Sequence, residues 1–197
     1  MFSMSILYAL LGGYLLGSIP FGLLITRATG QGDIRNIGSG NIGATNVLRT
    51  GRKDIALITL LLDAAKAGVA ALIFNHFFGM PIGLFAGAAA LIGHCFPVWL
   101  KFKGGKGVAT FFGCLLATAW PLGLIAGGIW LACAFFTRIS SLSALAAAGA
   151  SPLIAFMMGY YHVAIMAAVL AVIIYIRHAE NIGRIIKGTE SRIGKKG

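Results

Sequence analysis

Three stretches of this sequence carry residues suited to one kind of chemistry, the binding and activation of phosphate. The first is Gly38-Ser39-Gly40-Asn41-Ile42-Gly43-Ala44-Thr45-Asn46, with Arg49 close behind. Its glycines match the letters of the dinucleotide fingerprint GxGxxG, but that motif needs a preceding strand and a βαβ unit, and this chain reads as helical throughout. What survives is local. Glycines let successive backbone N–H groups face an anion, and a following helix N-terminus adds partial positive charge. The same letters also suit a turn packed under a bundle. The second stretch, Lys101-Phe102-Lys103-Gly104-Gly105-Lys106-Gly107, enters a helix at Val108. It is not a Walker A loop, because Gly107 follows the Lys where Ser or Thr is required and Leu100 replaces the first Gly. Lysines and glycines at a helix start make a phosphate seat, while the lysines alone would equally anchor the chain at a bilayer surface. The third stretch is Arg177-His178-Ala179-Glu180-Asn181-Ile182-Gly183-Arg184, followed by Lys187, Glu190 and Arg192. Helical spacing puts His178 and Asn181 on one face, and the outer residues suit a basic interfacial tail.

Two smaller features accompany these. The turn Thr137-Arg138-Ile139-Ser140-Ser141 offers a cation and hydroxyls, or an ordinary helix cap beside one anchoring Arg. Asp63 and Lys66 fall inside an apolar run, roughly 14 and 18 Å along a helix from Asp54 at about 1.5 Å per residue. Unpaired charges at that depth cost on the order of 3 kcal/mol or more. At spacing i,i+3 the two can pair as a buried ion pair, and an intramembrane ionisable residue is also a site candidate.

Absences narrow the chemistry. The His-x4-Asp dyad of many acyltransferases is missing, since Pro81, Trp99, Ala167 and Gly183 stand five residues after the four histidines. No GxSxG elbow occurs, and no cysteine is expected near the basic loops, so a covalent enzyme intermediate is not suggested. Cys95, Cys114 and Cys133 are spaced for neither CxxC redox chemistry nor a metal site and read as buried and reduced.

The elements that must position these residues are membrane helices. All 16 Lys and Arg and all 5 Asp and Glu fall in four clusters, separated by charge-free apolar stretches. The first stretch, 1–26, suits one crossing of a hydrocarbon core about 30 Å thick. Stretches 67–100, 107–137 and 139–176 are long enough for two short helices each, and each carries turn or interfacial residues near its middle: 75–81, Trp120-Pro121, and Gly159-Tyr160-Tyr161-His162. The expected fold is an all-α integral membrane protein of about seven transmembrane helices, a single domain over 1–197. Its N-terminus lies outside, and the charged loops and C-terminus lie in the cytoplasm by the positive-inside rule. A single crossing in 107–137 would throw the later basic clusters outside, which favours a hairpin there. A hydrophobic share of 58%, 28 glycines and a mean hydropathy of +0.90 agree. The net charge of +11 would suggest nucleic acid in a soluble protein, but here orientation and attraction to anionic headgroups account for it, and no nucleic-acid partner is expected. A cleavable signal peptide is not expected, because the first basic residue, Arg27, follows the apolar run.

Together, these basic segments converge on one membrane face. GSGNIGATN with Arg49, HCFPVWLKFKGGKGVAT and RHAENIGRIIKGTE resemble, in this order and spacing, the three cytoplasmic motifs of the bacterial acyl-phosphate:glycerol-3-phosphate acyltransferase family, the PlsY type; GSIPFG and LLDAAKAG fit as well. The similarity runs from Leu16 to about Glu190. It implies acyl transfer from an acyl phosphate to the sn-1 hydroxyl of glycerol 3-phosphate at a bacterial inner membrane, giving lysophosphatidate and phosphate, with no cofactor and no metal. On that basis Gly38, Ser39, Gly40, Asn41 and Lys106 are assigned to the acyl-phosphate and oxyanion region. Arg49, Lys101, Lys103, Gly104, Gly105, Gly107, Ser141, His178 and Asn181 are assigned to phosphate binding and substrate orientation. Ser39, Asn41, Lys106, His178 and Asn181 form the catalytic set. His178 is a candidate general base, or it holds glycerol 3-phosphate while a substrate phosphate takes the proton, which is the favoured alternative. Glu180 is expected to buttress Arg177 or Arg184. A small transporter of organic phosphates would share the cationic face, but should also show inverted repeats and helices interrupted at the midplane.

Overall fold

The computed structural model describes residues 2–194, with side chains from Met4 onward. The predicted outer N-terminus concerns Met1, which lies outside the described residues, as do Lys195 and Lys196 of the basic tail. Every regular element described is helical: α1 (Phe2–Gly17), α2 (Phe21–Ala28), α3 (Ala44–Val47), α4 (Lys53–Phe78), α5 (Met80–Cys95), α6 (Val108–Thr118), α7 (Trp120–Thr137), α8 (Ser140–Met157), α9 (Tyr161–Arg177) and α10 (Ala179–Ile186), with short 3₁₀ turns between some of them.

Each long apolar stretch folds as two helices that turn back where the turn chemistry lies. α4 and α5 meet at Gly79, whose φ of +87° only glycine adopts readily; α6 and α7 meet at Ala119; α8 and α9 meet at Gly159-Tyr160. Among the described residues, five spans are long and apolar enough to cross a membrane, including α1 with α2 as one, and α9 with α10 makes a sixth if that 65° bent pair counts as one. At 11 residues, α6 is shorter than these. Large apolar side chains such as Leu131, Phe135, Phe136 and Met157 face outward, as lipid-facing helices require.

The span expected over 1–26 is not one straight helix. It breaks at Ser18–Pro20, because Pro20 has no N–H to continue the ladder and biases Ile19 away from helix. The break leaves the Ile19 carbonyl to accept from Lys66 Nζ at 3.0 Å. Elsewhere the helices pack through small residues. A Cβ on Gly17 would collide with the Ala90 carbonyl, and one on Gly113 with the Ala64 carbonyl, so the α1–α5 and α4–α6 crossings depend on close backbone approach. A core of Leu91, Phe111, Leu115, Leu122, Leu170 and Ile174 fills the bundle. A second cluster, Leu23, Ile34, Ile42, Val47, Ile55 and Ala56, pins the loop between α2 and α4 onto the helix ends.

Cys95 and Cys114 are buried free thiols, whereas Cys133 is only partly buried, because α7 packs against few neighbours and presents most of its surface outward. Cys95 also departs from expectation in position. It ends α5, and the basic loop that follows folds back over it, so its Sγ would lie 3.1 Å from a Cβ on Gly107.

Candidate active site

The loop around Ser39 is built on one buried side chain, Asn46. Its Oδ1 accepts from the Ser39 N–H (3.1 Å) and is 3.3 Å from the Ser39 hydroxyl. Its Nδ2, with two hydrogens, lies within hydrogen-bond reach of three carbonyls that share them, those of Ile34 (3.0 Å), Ile37 (2.9 Å) and Asn41 (2.8 Å). Gly38 (φ +56°) and Gly40 (φ +69°) adopt left-handed backbone, and a Cβ on Gly38 would lie 2.6 Å from both Arg49 Cδ and Asn46 Oδ1. The cations of this loop divide into two kinds. Arg27 and Arg35 both pair with Asp33, whose carboxyl they hold well below the usual carboxylate range, Arg35 more strongly than Arg27. Arg52 pairs with Asp54. Arg49 instead meets a neutral hydroxyl, donating from Nη2 to Ser191 Oγ at 2.7 Å. Among the described residues, no carboxylate pairs with it.

The second loop is seated by the end of α5. The last carbonyls of a helix have no partner within it. Here the Cys95 carbonyl accepts from Gly104 N–H (3.1 Å) and the His94 carbonyl from Gly105 N–H (3.0 Å). Both glycines lie too close to that helix end for any Cβ. The expectation that Gly104 and Gly105 offer N–H groups to a phosphate is thus corrected: those donors are committed to carbonyls. From the other side Arg177 donates to the Gly105 carbonyl (3.1 Å) and the Gly104 carbonyl (2.9 Å), and its guanidinium lies over the Phe96 ring. Lys101 and Lys103 are exposed, whereas Lys106 turns inward and Gly107 (φ +82°) starts α6 behind it. Lys106 therefore lies beside the start of α6, whose first N–H groups have no partner within the helix.

Lys106 is where the second and third stretches meet. Its Nζ donates to Asn181 Oδ1, and Asn181 Nδ2 donates to Glu190. The same carboxylate accepts from Ser141 Oγ (2.7 Å) and Arg184 Nε (2.6 Å). Burial pulls the Lys106 ammonium below the ordinary lysine value, and Arg184 adds to the effect. Burial alone would raise the Glu190 carboxyl, but hydrogen bonds from Ser141, Asn181 and Arg184 outweigh it and hold it low. His178, 3% exposed, bonds through Nδ1 to the Ile174 carbonyl at 2.8 Å. That carbonyl can only accept, so Nδ1 carries hydrogen and Nε2 is the nitrogen left for a substrate.

The tail closes the face. Besides the Glu190 and Ser191 contacts, the Ile193 N–H donates to the Arg138 carbonyl (2.7 Å), and Thr45 and Ser140 hydroxyls lie 3.4 Å apart. Residues 189–193 are a strap across the loops rather than a free interfacial tail. Glu180 lies 3.8 Å from Arg184, as a buttress, while Arg177 serves the second loop instead. Three residues outside the expected set hold the site: Asn46, Arg177 and Glu190. Asn46 carried one signal, being a polar side chain on a segment bounded by apolar residues. Glu190 looked like one charge of a solvated tail. Ser141, expected to meet phosphate, donates its hydroxyl to Glu190.

Deeper, Asp63 and Lys66 form the expected ion pair at 2.8 Å, and His94 joins them. Among the described residues no group of His, Cys, Asp and Glu is arranged to hold a metal ion.

The residues so arranged, from the glycine loop and Arg49 through the Lys106–Asn181 pair to the buried His178, span the chain, and so does the family match. A family model described as glycerol-3-phosphate acyltransferase matches residues 7–188. The chain belongs to the glycerol-3-phosphate acyltransferase family. It is 63% identical over 190 residues to the glycerol-3-phosphate acyltransferase of Maricaulis maris (strain MCS10), covering 96% of this chain and 88% of that protein. It is 61% identical over 192 residues to that of Caulobacter vibrioides (strain NA1000 / CB15N), covering 95% and 88%. The fold is similar to the crystal structure of PlsY (YgiH), an integral membrane glycerol 3-phosphate acyltransferase, in its glycerol 3-phosphate form, with a TM-score of 0.91, 40% identity and 96% of each chain covered. The lysophosphatidic acid form of PlsY gives 0.89 and 39%. A PlsY-type acyltransferase is thus a helical membrane enzyme whose family activity uses glycerol 3-phosphate.

Proposed function

We propose that this protein transfers a fatty acyl group from an acyl phosphate to the sn-1 hydroxyl of glycerol 3-phosphate, releasing lysophosphatidate and inorganic phosphate. The observation that carries this reading is the junction of Lys106 with Asn181, Glu190 and Ser141, which joins three distant segments in one half-buried cationic site. Both substrates bring phosphate to such a site, and one also brings an apolar tail suited to helix ends in a bilayer.

An acyl phosphate is a mixed anhydride with a good leaving group, so alignment and charge stabilisation can carry the reaction. The glycerol hydroxyl attacks the acyl carbon, the carbonyl oxygen takes negative charge, and the carbon–oxygen bond to phosphate breaks. Ser39 and Asn41, with Gly38 and Gly40 shaping the turn, line the acyl-phosphate region. Lys106 and the α6 N-terminus stabilise the oxyanion and the departing phosphate. Arg49, His178 through Nε2, and Asn181 hold and orient glycerol 3-phosphate, and Ser141 steadies Glu190 beside them. Lys101 and Lys103 contribute positive potential at the surface, and Gly104, Gly105 and Gly107 seat the loop. A substrate phosphate, with a second pKa near 6, accepts the proton. No enzyme nucleophile is required, and no cofactor or metal takes part.

In this reading the chain is one transmembrane domain of seven crossings in the bacterial inner membrane, with α6 as a short span. Its N-terminus lies outside, and the C-terminus and active site face the cytoplasm. The basic loops at one end of the bundle support that orientation. The test is purified protein given radiolabelled glycerol 3-phosphate with acyl phosphate or acyl-CoA, with and without chelator. Lysophosphatidate is expected from acyl phosphate alone, chelator or not. A requirement for acyl-CoA or for a divalent ion would overturn the proposal.

A further inference from the structure

Beneath the second loop, α4 and α5 bring together three buried ionisable side chains that the chemistry above does not use: Asp63, Lys66 and His94, exposed by 2%, 5% and 4%. Lys66 Nζ donates to Asp63 Oδ1 (2.8 Å), to the Ile19 carbonyl (3.0 Å) and to His94 Nδ1 (2.7 Å). An ammonium has only hydrogens to give, so His94 Nδ1 accepts and the ring hydrogen sits on Nε2. Nε2 is the atom that abuts Gly105, where an added Cβ would collide with it. The His94 carbonyl also holds the Gly105 N–H. The residue after Gly105 is Lys106.

We infer that Asp63, Lys66 and His94 form a positioning centre for Lys106. Asp63 and Lys66 fix the His94 ring, the ring seats Gly105, and Gly105 sets the height at which Lys106 meets Asn181. The inference rests on the role given to Lys106 above. Stability alone is a weak reason for the centre, since buried ion pairs are often replaceable by apolar residues without loss. A simple pair would also not need its ammonium tied to the α1–α2 break and to a histidine under the loop. These contacts connect three elements of the bundle to one catalytic lysine.

The test is the paired variant Asp63→Asn with Lys66→Met, which removes both charges together, assayed alone and combined with Lys106→Ala. With folding verified by monodispersity and thermal unfolding, kcat should fall roughly ten- to a hundredfold, the range expected of a misplaced catalytic group, while both KM values stay within about twofold. On the Lys106→Ala background the same pair should cost less than about twofold, because the lysine it positions is gone. If the paired variant does not fold, His94→Asn carries the same test, since it keeps an acceptor for Lys66 but lacks the Nε2 end against Gly105. Wild-type kcat, or a loss that multiplies with that of Lys106→Ala, would overturn the positioning centre alone. Full activity in Lys106→Ala itself would overturn the role of Lys106 and this inference with it.

Discussion

Asn46 sits directly under Ser39, its side-chain oxygen taking the Ser39 N–H at 3.1 Å while its amide nitrogen holds the Ile34, Ile37 and Asn41 carbonyls. One buried amide therefore shapes both ends of the glycine turn. Asn46→Asp keeps the size but points carboxylate oxygen at three carbonyls, and leaving such buried groups unpaired costs about 1–3 kcal/mol each. We expect Asn46→Asp to lower the melting temperature and to reduce kcat at least as much as Ser39→Ala does. Wild-type kinetics in Asn46→Asp would show that the turn does not depend on this residue.

The second loop separates membrane anchoring from site construction. Gly105→Ala leaves every charge in place but must push the loop off His94. Anchoring by lysines predicts unchanged kinetics. The geometry predicts a fall of about tenfold or more in kcat/KM for glycerol 3-phosphate, measured on folded protein, because a shift near 1 Å moves Lys106. A Gly105→Ala enzyme as active as the wild type would return the loop to anchoring.

The hairpin turns were legible because charge-free length, glycine and proline are local properties, and Gly79 and Gly159-Tyr160 lie where those properties placed them. The break at Pro20 was equally local, yet it was obscured by an apolar run long enough for one span. Lys106 and Asn181 were both expected at helix ends on one charged face, and they meet there, although their direct contact was not foreseen. Glu190 and Arg177 were not legible in the same way. Their roles depend on partners 49 and 73 positions away for the Ser141 and Gly104 bonds, and no sequence period reports such pairings. The state of the Gly104 and Gly105 N–H groups was hidden for the same reason, since only the fold shows which carbonyls they meet.

Lys106 gives a pH dependence with a definite sign. Burial, with Arg184, lowers it from the ordinary 10.5, so its positive charge is lost at a lower pH than a free lysine's. As pH rises through that lowered value, the cation beside the departing phosphate disappears and kcat should fall. Lys106→Arg keeps its charge across this range and should remove that alkaline limb, whatever its absolute rate. The same limb persisting in Lys106→Arg would assign it to another group.

Topology is open to labelling. On a cysteine-free background, a membrane-impermeant reagent applied from the periplasm should tag Asn75→Cys, near the α4–α5 turn, and miss Arg49→Cys. The reverse pattern would invert the proposed orientation.

In the proposed reaction the acyl group passes directly between two bound phosphate substrates. A single-turnover reaction with acyl phosphate labelled in both the acyl and phosphoryl groups, run with and without glycerol 3-phosphate, tests it most directly. Phosphate release should require glycerol 3-phosphate and match lysophosphatidate formation one for one, with no label left on the protein. A stoichiometric burst of phosphate without glycerol 3-phosphate, leaving acyl label on the enzyme, would contradict the account.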